Sequence, residues 1–285
     1  AQRFREALAE LGPTFVKLGQ LLSTRPDIMP DSFVQELEKL LDEVPSFAYR
    51  QVEEIFREEL GRPPDEIFDQ FDPMPVASGS IAQVHRATLP DGTIVAVKVQ
   101  RPGIHAVIHT DLSILMEIAL LMERHIPEFN WMNPVGLVRQ FSSSINRETD
   151  FVSELHAAEQ FAANFAGDPQ VVIPGVYRKF STEKILVMDF IEGIKISDVK
   201  SIASSKLDLK VLARNGANLI LREIFEHQFF HGDPHPGNLF ALEGNRIGAI
   251  DFGMVGYLDD RTTQLLGRIF SNVIRKEVDA VIQNL

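Results

Sequence analysis

Three polar side chains in the C-terminal third of the sequence could bind a divalent metal and support phosphoryl transfer. Asp233 and Asn238 lie in the segment HGDPHPGN, and Asp251 opens an Asp-Phe-Gly tripeptide thirteen residues after Asn238. In phosphoryl transfer, one aspartate positions or deprotonates the nucleophile, while an asparagine and a second aspartate hold Mg²⁺. We therefore predict that Asp233 is catalytic and that Asn238 and Asp251 are metal ligands. Either segment alone would be weak evidence, and the prediction depends on their order and spacing.

Small residues further upstream have the spacing of a phosphate-binding loop. They follow the kinase pattern G-x-G-x-x-G-x-V, with alanine at the first and third glycine positions. The predicted nucleotide-binding residues of this loop are Ala77, Ser78, Gly79, Ser80, Ala82 and Val84. Small side chains let backbone N–H groups approach phosphates, and Lys98 on the next predicted strand would neutralise the α- and β-phosphates. The alternative is an ordinary hairpin that carries a surface lysine.

A lysine in such a site needs a carboxylate partner from a nearby helix. Glu154 is the candidate, because it lies in the helical segment ETDFVSELHAAEQF with Asp150 one turn earlier on the same face. The alternative for both residues is an exposed acidic helix face.

The segment ILVMDFIEG, residues 185–193, is typical of a strand and hinge that meet the adenine edge of a nucleotide. Its predicted nucleotide contacts are Met188, Asp189 and Ile191, the latter two through their backbone. The alternative is a core strand followed by a turn.

Helices come first among the elements that must position these residues. The first seventy residues show apolar side chains at three- and four-residue steps, the pattern of amphipathic helices. Gly12-Pro13 is expected to break the first helix, because proline favours the first turn of a new one. A later helix should begin after Ser46, an N-cap, and end at Gly61, a C-cap.

Strands and further helices follow. Short runs rich in β-branched residues, bounded by turn residues, predict strands, and longer periodic runs predict helices. The predicted strands cover residues 81–87, 93–99, 171–177, 185–190 and a pair within 240–250, and the predicted helices start near residue 111 and cover 134–165 and 207–230. The fold class is therefore predicted to be α+β.

Composition restricts the classes of function and partner. The chain has 285 residues, a net charge of −12 and no cysteine. Its acidity argues against nucleic-acid binding, and the lack of cysteine excludes disulfides, thiol catalysis and cysteine-ligated zinc. The longest apolar stretch, residues 112–122, contains Glu117 and is much shorter than the roughly 20 residues of a membrane span. Because the chain starts at Ala1 and ends in a helical pattern near Leu285, we expect a trimmed segment of a longer protein.

These segments together resemble the UbiB family of atypical kinases, which is tied to quinone-lipid biosynthesis. The matching stretches are LGPTFVKLGQLLSTRPDIMP, VASGSIAQVHRA, VAVKVQRPGI, ETDF, HGDPHPGNLF and IDFGMVG, and they extend from Leu11 to Gly256. The resemblance implies a two-lobed, protein-kinase-like fold with a helical N-terminal extension over the active site. We expect the extension in residues 1–72, the N-lobe in 73–190 and a truncated C-lobe in 191–285.

The same resemblance implies roles for single residues. Lys17 and Gln20 would form the family's KxGQ signature, on a helix that lies where a protein kinase binds peptide. Glu148 and Asp150 would form the ExD signature that Lys17 contacts, although Lys17 could instead extend its charge into solvent. Glu154 would pair with Lys98. One departure is Gly79, since the family's loop is usually A-A-A-S, and this leaves open any nucleotide preference that depends on those alanines.

The expected cofactors are ATP and Mg²⁺. The leading hypothesis is an ATPase or a small-molecule or lipid kinase that supports isoprenoid-quinone biosynthesis, with peripheral contact to a bacterial inner, mitochondrial or plastid membrane. Quinone-precursor lipids or a biosynthetic protein complex would be its partners, and the oligomeric state is open. A nucleotide-gated scaffold that binds ATP or ADP is one alternative, and a protein kinase is another. The protein-kinase alternative is disfavoured because few residues separate Gly253 from the helical pattern at Asp259.

Overall fold

The computed structural model describes residues 1–41 and 45–277. They form two compact units: the first contains residues 1–155 and 176–190, and the second contains residues 156–175 and those from 191 onward. The division after residue 190 coincides with the predicted lobe limit. Residues 156–175 differ from the prediction by grouping with the second unit, where the Phe161 ring stacks on Phe229 and Phe252, with centroids 4.7 and 4.9 Å away.

The N-terminal part of the first unit is helical, as predicted. Its helices are α1 (Gln2–Leu11), α2 (Pro13–Ser23), α3 (Asp31–Leu37) and α4 (Tyr49–Leu60), with a 3₁₀ turn at Glu38–Leu41. Gly12 has φ 106° and separates α1 from α2, while Gly61, at φ 73°, ends α4 in the left-handed conformation. Ser46 is not the N-cap of α4, which begins after Ala48 without a side-chain cap.

The sheet of the first unit carries the predicted nucleotide loop. Its strands are β1 (Gln70–Phe71), β2 (Ala77–Ser78), β3 (Ala82–Thr88), β4 (Ile94–Gln100) and β6 (Ile185–Asp189). They are ordered β1-β3-β4-β6, with β2 paired to β3. On β4, Val95, Val97 and Val99 are fully buried against α4 and its neighbours. Alternate residues of β4 face the other side, which places Lys98 opposite this core.

Three long helices follow β4. They are α5 (Ile104–His125), α6 (Pro134–Glu148) and α7 (Phe151–Asn164). The helix predicted over 134–165 is therefore two helices, interrupted at Thr149 and Asp150. The helix expected near residue 111 begins seven residues earlier, directly after Gly103, which has φ 68°. Phe141, Ile145 and Phe151 pack in one core with Leu186 of β6.

Helix α5 corrects the expectation that the apolar stretch at residues 112–122 is too short for a membrane span. Among the described residues it is the one helix long and apolar enough to cross a bilayer, a criterion of length and composition that core helices of soluble proteins also meet. Glu117 interrupts the apolar run, but the helix continues on both sides of it over 22 residues.

The second unit contains the predicted catalytic and metal-binding loops. Its elements are β5 (Val171–Val172), β7 (Ile194–Lys195), α8 (Val199–Ser204), α9 (Leu209–Phe225), β8 (Phe229–His231), β9 (Leu239–Leu242), β10 (Arg246–Ala249), β11 (Val255–Tyr257) and α10 (Asp260–Arg275). One sheet has the order β5-β10-β9-β7, and β8 pairs with β11.

Several predicted boundaries in the second unit were too wide. The helix predicted to residue 230 ends at Phe225, and the strand predicted over 171–177 is regular only at Val171–Val172. The pair of strands predicted within 240–250 is present as β9 and β10, joined at Gly244 with φ 77°. The pattern at residues 278–285 lies outside the described residues.

Candidate functional site

Lys98 and Glu154 form a buried ion pair in the first unit. Lys98 lies on β4, between Val84 of β3 and Leu186 of β6 in the strand register. Its Nζ donates to both Glu154 carboxylate oxygens, at 2.9 and 2.8 Å. The Glu154 side chain is 1% exposed and that of Lys98 is 16% exposed. This burial excludes the alternatives of a surface lysine and an exposed acidic face for this pair.

The predicted nucleotide loop is a short hairpin connection between β2 and β3. Ala77 and Ser78 pair with Val84 and Gln83, and the Gly79 N–H donates to the Ala82 carbonyl oxygen at 2.8 Å. Ala77 and Gly79 are exposed, whereas Ser80 and Ala82 are buried. The loop thus presents small side chains to solvent one strand away from Lys98, the arrangement expected of a phosphate cradle.

The strand predicted as a hinge is β6. Met188 is buried, and the Asp189 carboxylate accepts a hydrogen bond from the Tyr177 hydroxyl at 2.6 Å. Burial and this carboxylate raise the pKa of Tyr177 to about 12, so the phenol is a permanent donor at neutral pH. Ile191 belongs to the second unit, where its side chain lies beside Gly248 of β10.

The KLGQ segment lies on α2 and is anchored within the first unit. The Lys17 Nζ forms an ion pair with the Glu148 carboxylate at the end of α6, and the two side chains are 20% and 13% exposed. Gln20 Nε2 donates to the Leu40 carbonyl oxygen at 3.1 Å. Gly19 permits the close approach, since a Cβ there would lie 2.5 Å from Leu40 Cδ1. The structure therefore brings Lys17 and Glu148 together, and it gives Gln20 a partner within the helical extension.

Asp150 begins helix α7. Its carboxylate oxygens accept from the Ser153 N–H at 2.9 Å and from the Ser153 hydroxyl at 2.6 Å. Its backbone carbonyl accepts from the Glu154 N–H at 3.0 Å. Asp150 therefore stabilises the first turn of the helix that carries Glu154.

Asp233 lies in a loop of the second unit that follows β8. The His231 Nδ1 accepts from the Asp233 N–H at 3.0 Å, and the Gly232 N–H donates to the Met254 carbonyl oxygen at 2.7 Å. The Asp233 carbonyl in turn accepts from the His235 N–H at 2.7 Å. The backbone on both sides of Asp233 is thus fixed, and its side chain is partly exposed.

Asn238 and Asp251 are brought together by strand pairing. Leu239 of β9 faces Ala249 of β10, and the Ile250 N–H donates to the Asn238 carbonyl oxygen at 3.1 Å. Asp251 Oδ1 accepts from the Gly253 N–H at 3.0 Å. The two predicted metal ligands therefore stand at the same end of one antiparallel pair.

A buried glutamate of α9 holds the start of the predicted catalytic loop. Glu223 is 3% exposed, and its Oε2 accepts from the His231 backbone N–H at 3.0 Å. Burial raises the pKa of Glu223 to about 7, and the hydrogen bond from His231 opposes that shift. Burial lowers the pKa of His231, although the charges of Asp251 and Asp233 oppose this. A neutral His231 ring fits its role as acceptor from the Asp233 N–H.

Glu223 was missed by the sequence analysis. It follows Leu212, Asn215 and Leu219 at three- and four-residue steps on the buried face of α9. The available signal was a carboxylate that continues the buried stripe of α9, eight residues before His231.

The donor set fits Mg²⁺ and a nucleotide. Across residues 1–41 and 45–277, no group of three His, Asp or Glu side chains converges as a metal site. Mg²⁺ in phosphoryl-transfer sites is commonly held by one or two protein oxygens together with phosphate oxygens. Asn238 and Asp251 supply two such oxygens, so the residues present are sufficient for a metal that arrives with a nucleotide.

Comparison with known proteins identifies the relatives of this chain. Residues 39–285 match the model of the ABC1 atypical kinase-like domain. A Marinobacter nauticus protein named "Probable protein kinase UbiB" is 41% identical over 285 residues, covering 99% of this chain and 52% of that protein. The Arabidopsis thaliana "Protein ACTIVITY OF BC1 COMPLEX KINASE 1, chloroplastic" is 39% identical, covering 93% of this chain and 39% of that protein.

A solved structure agrees with these sequence matches. The complex of Rv3197 with erythromycin from Mycobacterium tuberculosis superposes with a TM-score of 0.67 at 28% identity, covering 93% of this chain and 67% of that one. The chain spans about half the length of the curated UbiB relatives it matches. The predicted kinase-like α+β fold and the predicted family are confirmed, and the chain belongs to the ABC1 atypical kinase-like family, which includes the UbiB proteins.

Proposed function

We propose that this protein binds ATP with Mg²⁺ and hydrolyses it or transfers its terminal phosphoryl group. The loop at Ala77–Val84 and Lys98 would act on the phosphates, and Asp233, Asn238 and Asp251 would act on the nucleophile and the metal. Mg²⁺, when bound, would neutralise phosphate charge.

The single observation that carries this proposal is the buried Lys98–Glu154 pair. Removing two charges from water costs several kcal/mol per ion before their attraction is counted, so a buried pair is weak evidence for stability alone. Glu154 is nevertheless almost completely buried, with both of its oxygens on Lys98. Such an arrangement fits a lysine whose ammonium is held in one place beside a small-residue loop to receive phosphate charge.

Asp233 is the residue that we propose to accept or orient the attacking hydroxyl group or water. Its backbone is held by His231 and by the β8–β11 pair. Because its carboxylate is partly exposed, it remains available to a substrate.

We further propose a small-molecule or lipid acceptor, or water, in preference to a protein. Residues 254–259 alone separate Gly253 from α10, and three of them form β11. Protein kinases use a longer segment after Asp-Phe-Gly to bind a peptide. The link to isoprenoid-quinone biosynthesis, at a bacterial inner, mitochondrial or plastid membrane, depends on the resemblance to UbiB proteins.

Single-turnover ATP hydrolysis by the purified protein, with and without polyprenyl-phenol lipid vesicles, tests this function. We expect Mg²⁺-dependent phosphate release that the lipid accelerates, and loss of release with retained nucleotide binding in Asp233→Asn. Equal rates for the parent and Asp233→Asn would contradict catalysis. Nucleotide binding without turnover under every condition would favour the nucleotide-gated scaffold, and labelling of added protein would favour a protein kinase.

A further inference from the structure

Arg101 connects the nucleotide loop to Pro45–Phe47, the segment that precedes α4 in the helical extension. It follows β4 directly, three residues after Lys98. Its Nε donates to the Gly79 carbonyl oxygen at 3.0 Å and its Nη2 to the Ser78 hydroxyl at 3.2 Å. The same Nη2 donates to the Pro45 carbonyl oxygen at 2.5 Å. One guanidinium therefore bonds the loop and residues that lie more than 30 positions earlier in the chain.

The segment at Pro45–Phe47 is also held from the sheet. The Arg101 guanidinium lies over the Phe47 ring, 5.6 Å from its centroid. The Phe47 N–H donates to Gln83 Oε1 at 2.9 Å, and Gln83 is fully buried on β3. His85 continues this contact, because its Nε2 lies 2.9 Å from Gln83 Nε2 and its Nδ1 2.8 Å from the Asp72 carbonyl oxygen. The segment Pro45–Phe47 is thus held against β3, the strand that follows the nucleotide loop.

Main-chain bonding adds a further constraint. The Arg101 N–H donates to the Ile81 carbonyl oxygen at 2.8 Å. Arg101 therefore contacts the loop on both sides of its turn, at Ser78 and Gly79 and again at Ile81. All the oxygens that accept from its side chain are uncharged, so these bonds use the planar geometry of the guanidinium and do not neutralise its charge.

We propose that Arg101 is a positioning residue that holds the nucleotide loop in its binding conformation and couples the loop to Pro45–Phe47. Its effect on nucleotide binding rests on the proposed function. The planar fork donates to several acceptors at once and stacks on Phe47, whereas a lysine would keep the charge but lose this geometry. Arg101 is thus expected to affect ATP affinity more than the chemical step.

The test compares Arg101→Lys and Arg101→Met with the parent and with Arg57→Lys, an exposed arginine on α4 that serves as control. Both Arg101 variants should raise the KM for ATP by roughly tenfold and leave kcat within about twofold. In the absence of nucleotide, hydrogen exchange at the Phe47 and Gly79 amides should be faster in both variants than in Arg57→Lys.

The outcomes separate the alternatives. An Arg101→Lys protein with the KM of the parent and unchanged exchange would overturn the proposal, since charge without the fork would then suffice. A fall in kcat as large as the rise in KM, together with lowered thermal stability, would also overturn the proposal, because it would indicate a merely structural role. If both variants fail to fold, Ser78→Ala removes one acceptor of Arg101 and should speed hydrogen exchange at the Gly79 amide without nucleotide, and unchanged exchange would contradict the proposal. A parent that binds no nucleotide contradicts the proposed function, while the exchange at Phe47 and Gly79 still tests the positioning role.

Discussion

Among the described residues, the two buried acidic side chains are Glu154 in the first unit and Glu223 in the second, and they are held differently. Glu154 receives two hydrogen bonds from the charged Lys98. Glu223 receives one hydrogen bond from a neutral backbone N–H, and burial raises its pKa to about 7. The first unit thus holds Lys98 with an opposite charge. The second holds its predicted catalytic loop through the backbone, with a carboxyl group that can take up a proton near neutral pH.

The largest effect is expected from breaking the Lys98–Glu154 pair. Lys98→Ala leaves a buried carboxylate without its lysine, which typically costs about 3–5 kcal/mol of stability. It should also weaken ATP binding by roughly tenfold or more. Thermal unfolding with and without Mg-ATP measures both effects.

The matched control is the double variant Lys98→Ala, Glu154→Gln. Because it carries no uncompensated charge, it should recover most of the thermal stability and none of the ATP affinity. An undiminished shift in melting temperature with Mg-ATP in Lys98→Ala would show that this lysine does not contact phosphates.

Asp251→Asn tests the predicted metal site of the second unit. The variant removes an anionic metal ligand, so Mg²⁺-dependent ATP affinity should fall by roughly tenfold or more. The fold should remain, because an asparagine oxygen can still accept from the Gly253 N–H. Calorimetric titration with and without Mg²⁺ is the measurement, and an unchanged Mg²⁺-dependent affinity would remove Asp251 from the metal site.

Glu223→Gln tests whether the buried carboxyl group of the second unit makes the stability of the fold depend on pH. The folded pKa of Glu223, about 7, is above its ordinary value of 4.5, so the folded protein binds the extra proton between these values. The parent therefore loses this contribution to stability as the pH rises through 7, whereas glutamine does not titrate. Relative to the parent, the variant should gain roughly 2–3 kcal/mol between pH 4.5 and 8.

Melting temperatures at pH 5 and pH 8 measure this gain. Glu243→Gln, an exposed residue of the same unit, is the control and should show no such trend. If the difference between Glu223→Gln and the parent is the same at both pH values, Glu223 does not titrate in the range that its burial implies.

Lys17→Ala concerns the partly exposed pair of the extension. Because this pair is less buried than Lys98–Glu154, its loss should cost less stability, and the fold should survive. We expect altered phosphotransfer, most directly autophosphorylation visible by mass spectrometry after incubation with Mg-ATP. The resemblance implies that α2 lies over the active site, where it would restrict phosphotransfer. This idea is wrong if the variant matches the parent in autophosphorylation, in ATP turnover and in protease sensitivity before Pro30.

The smallest effect is expected at Gly79. Its φ is outside the left-handed region, and an added Cβ would meet only the Ala82 carbonyl oxygen at 3.5 Å, an ordinary contact. Gly79→Ala, which moves the loop toward the alanine-rich pattern of the family, should change the stability by less than about 1 kcal/mol. A change in the ratio of ATP to ADP affinity would show that this position sets nucleotide preference, and a large loss of stability would contradict the geometry.

The residues with recognisable chemistry could be predicted from the sequence, and those that support them could not. Lys98 and Glu154 were paired by residue type and segment, and the strands around the loop were placed within one residue. Arg101 and Glu223 were missed because most of their hydrogen bonds are to backbone groups, which every residue carries. Hydrogen bonds to backbone therefore leave no sequence pattern of their own.

Element boundaries failed where tertiary contacts override periodicity. Apolar residues recur at helical spacing throughout residues 134–165, but the Asp150 carboxylate accepts from Ser153 and caps a new helix. Helix α9 was predicted five residues too long because the strand residues Phe229–His231 continue its apolar pattern while pairing with β11. Short apolar runs fit a helix or a strand equally well.

The central claim, which belongs to the proposed function, is that Lys98 and Asp251 both act on Mg-bound ATP. Calorimetric ATP affinities of the parent, Lys98→Ala, Asp251→Asn and the double variant, each with and without Mg²⁺, test it most directly. We expect Lys98→Ala to weaken binding under both conditions and Asp251→Asn only with Mg²⁺. We also expect the double variant with Mg²⁺ to lose less than the two single losses combined, as for residues that share a ligand. Full affinity in either single variant with Mg²⁺ would contradict the claim.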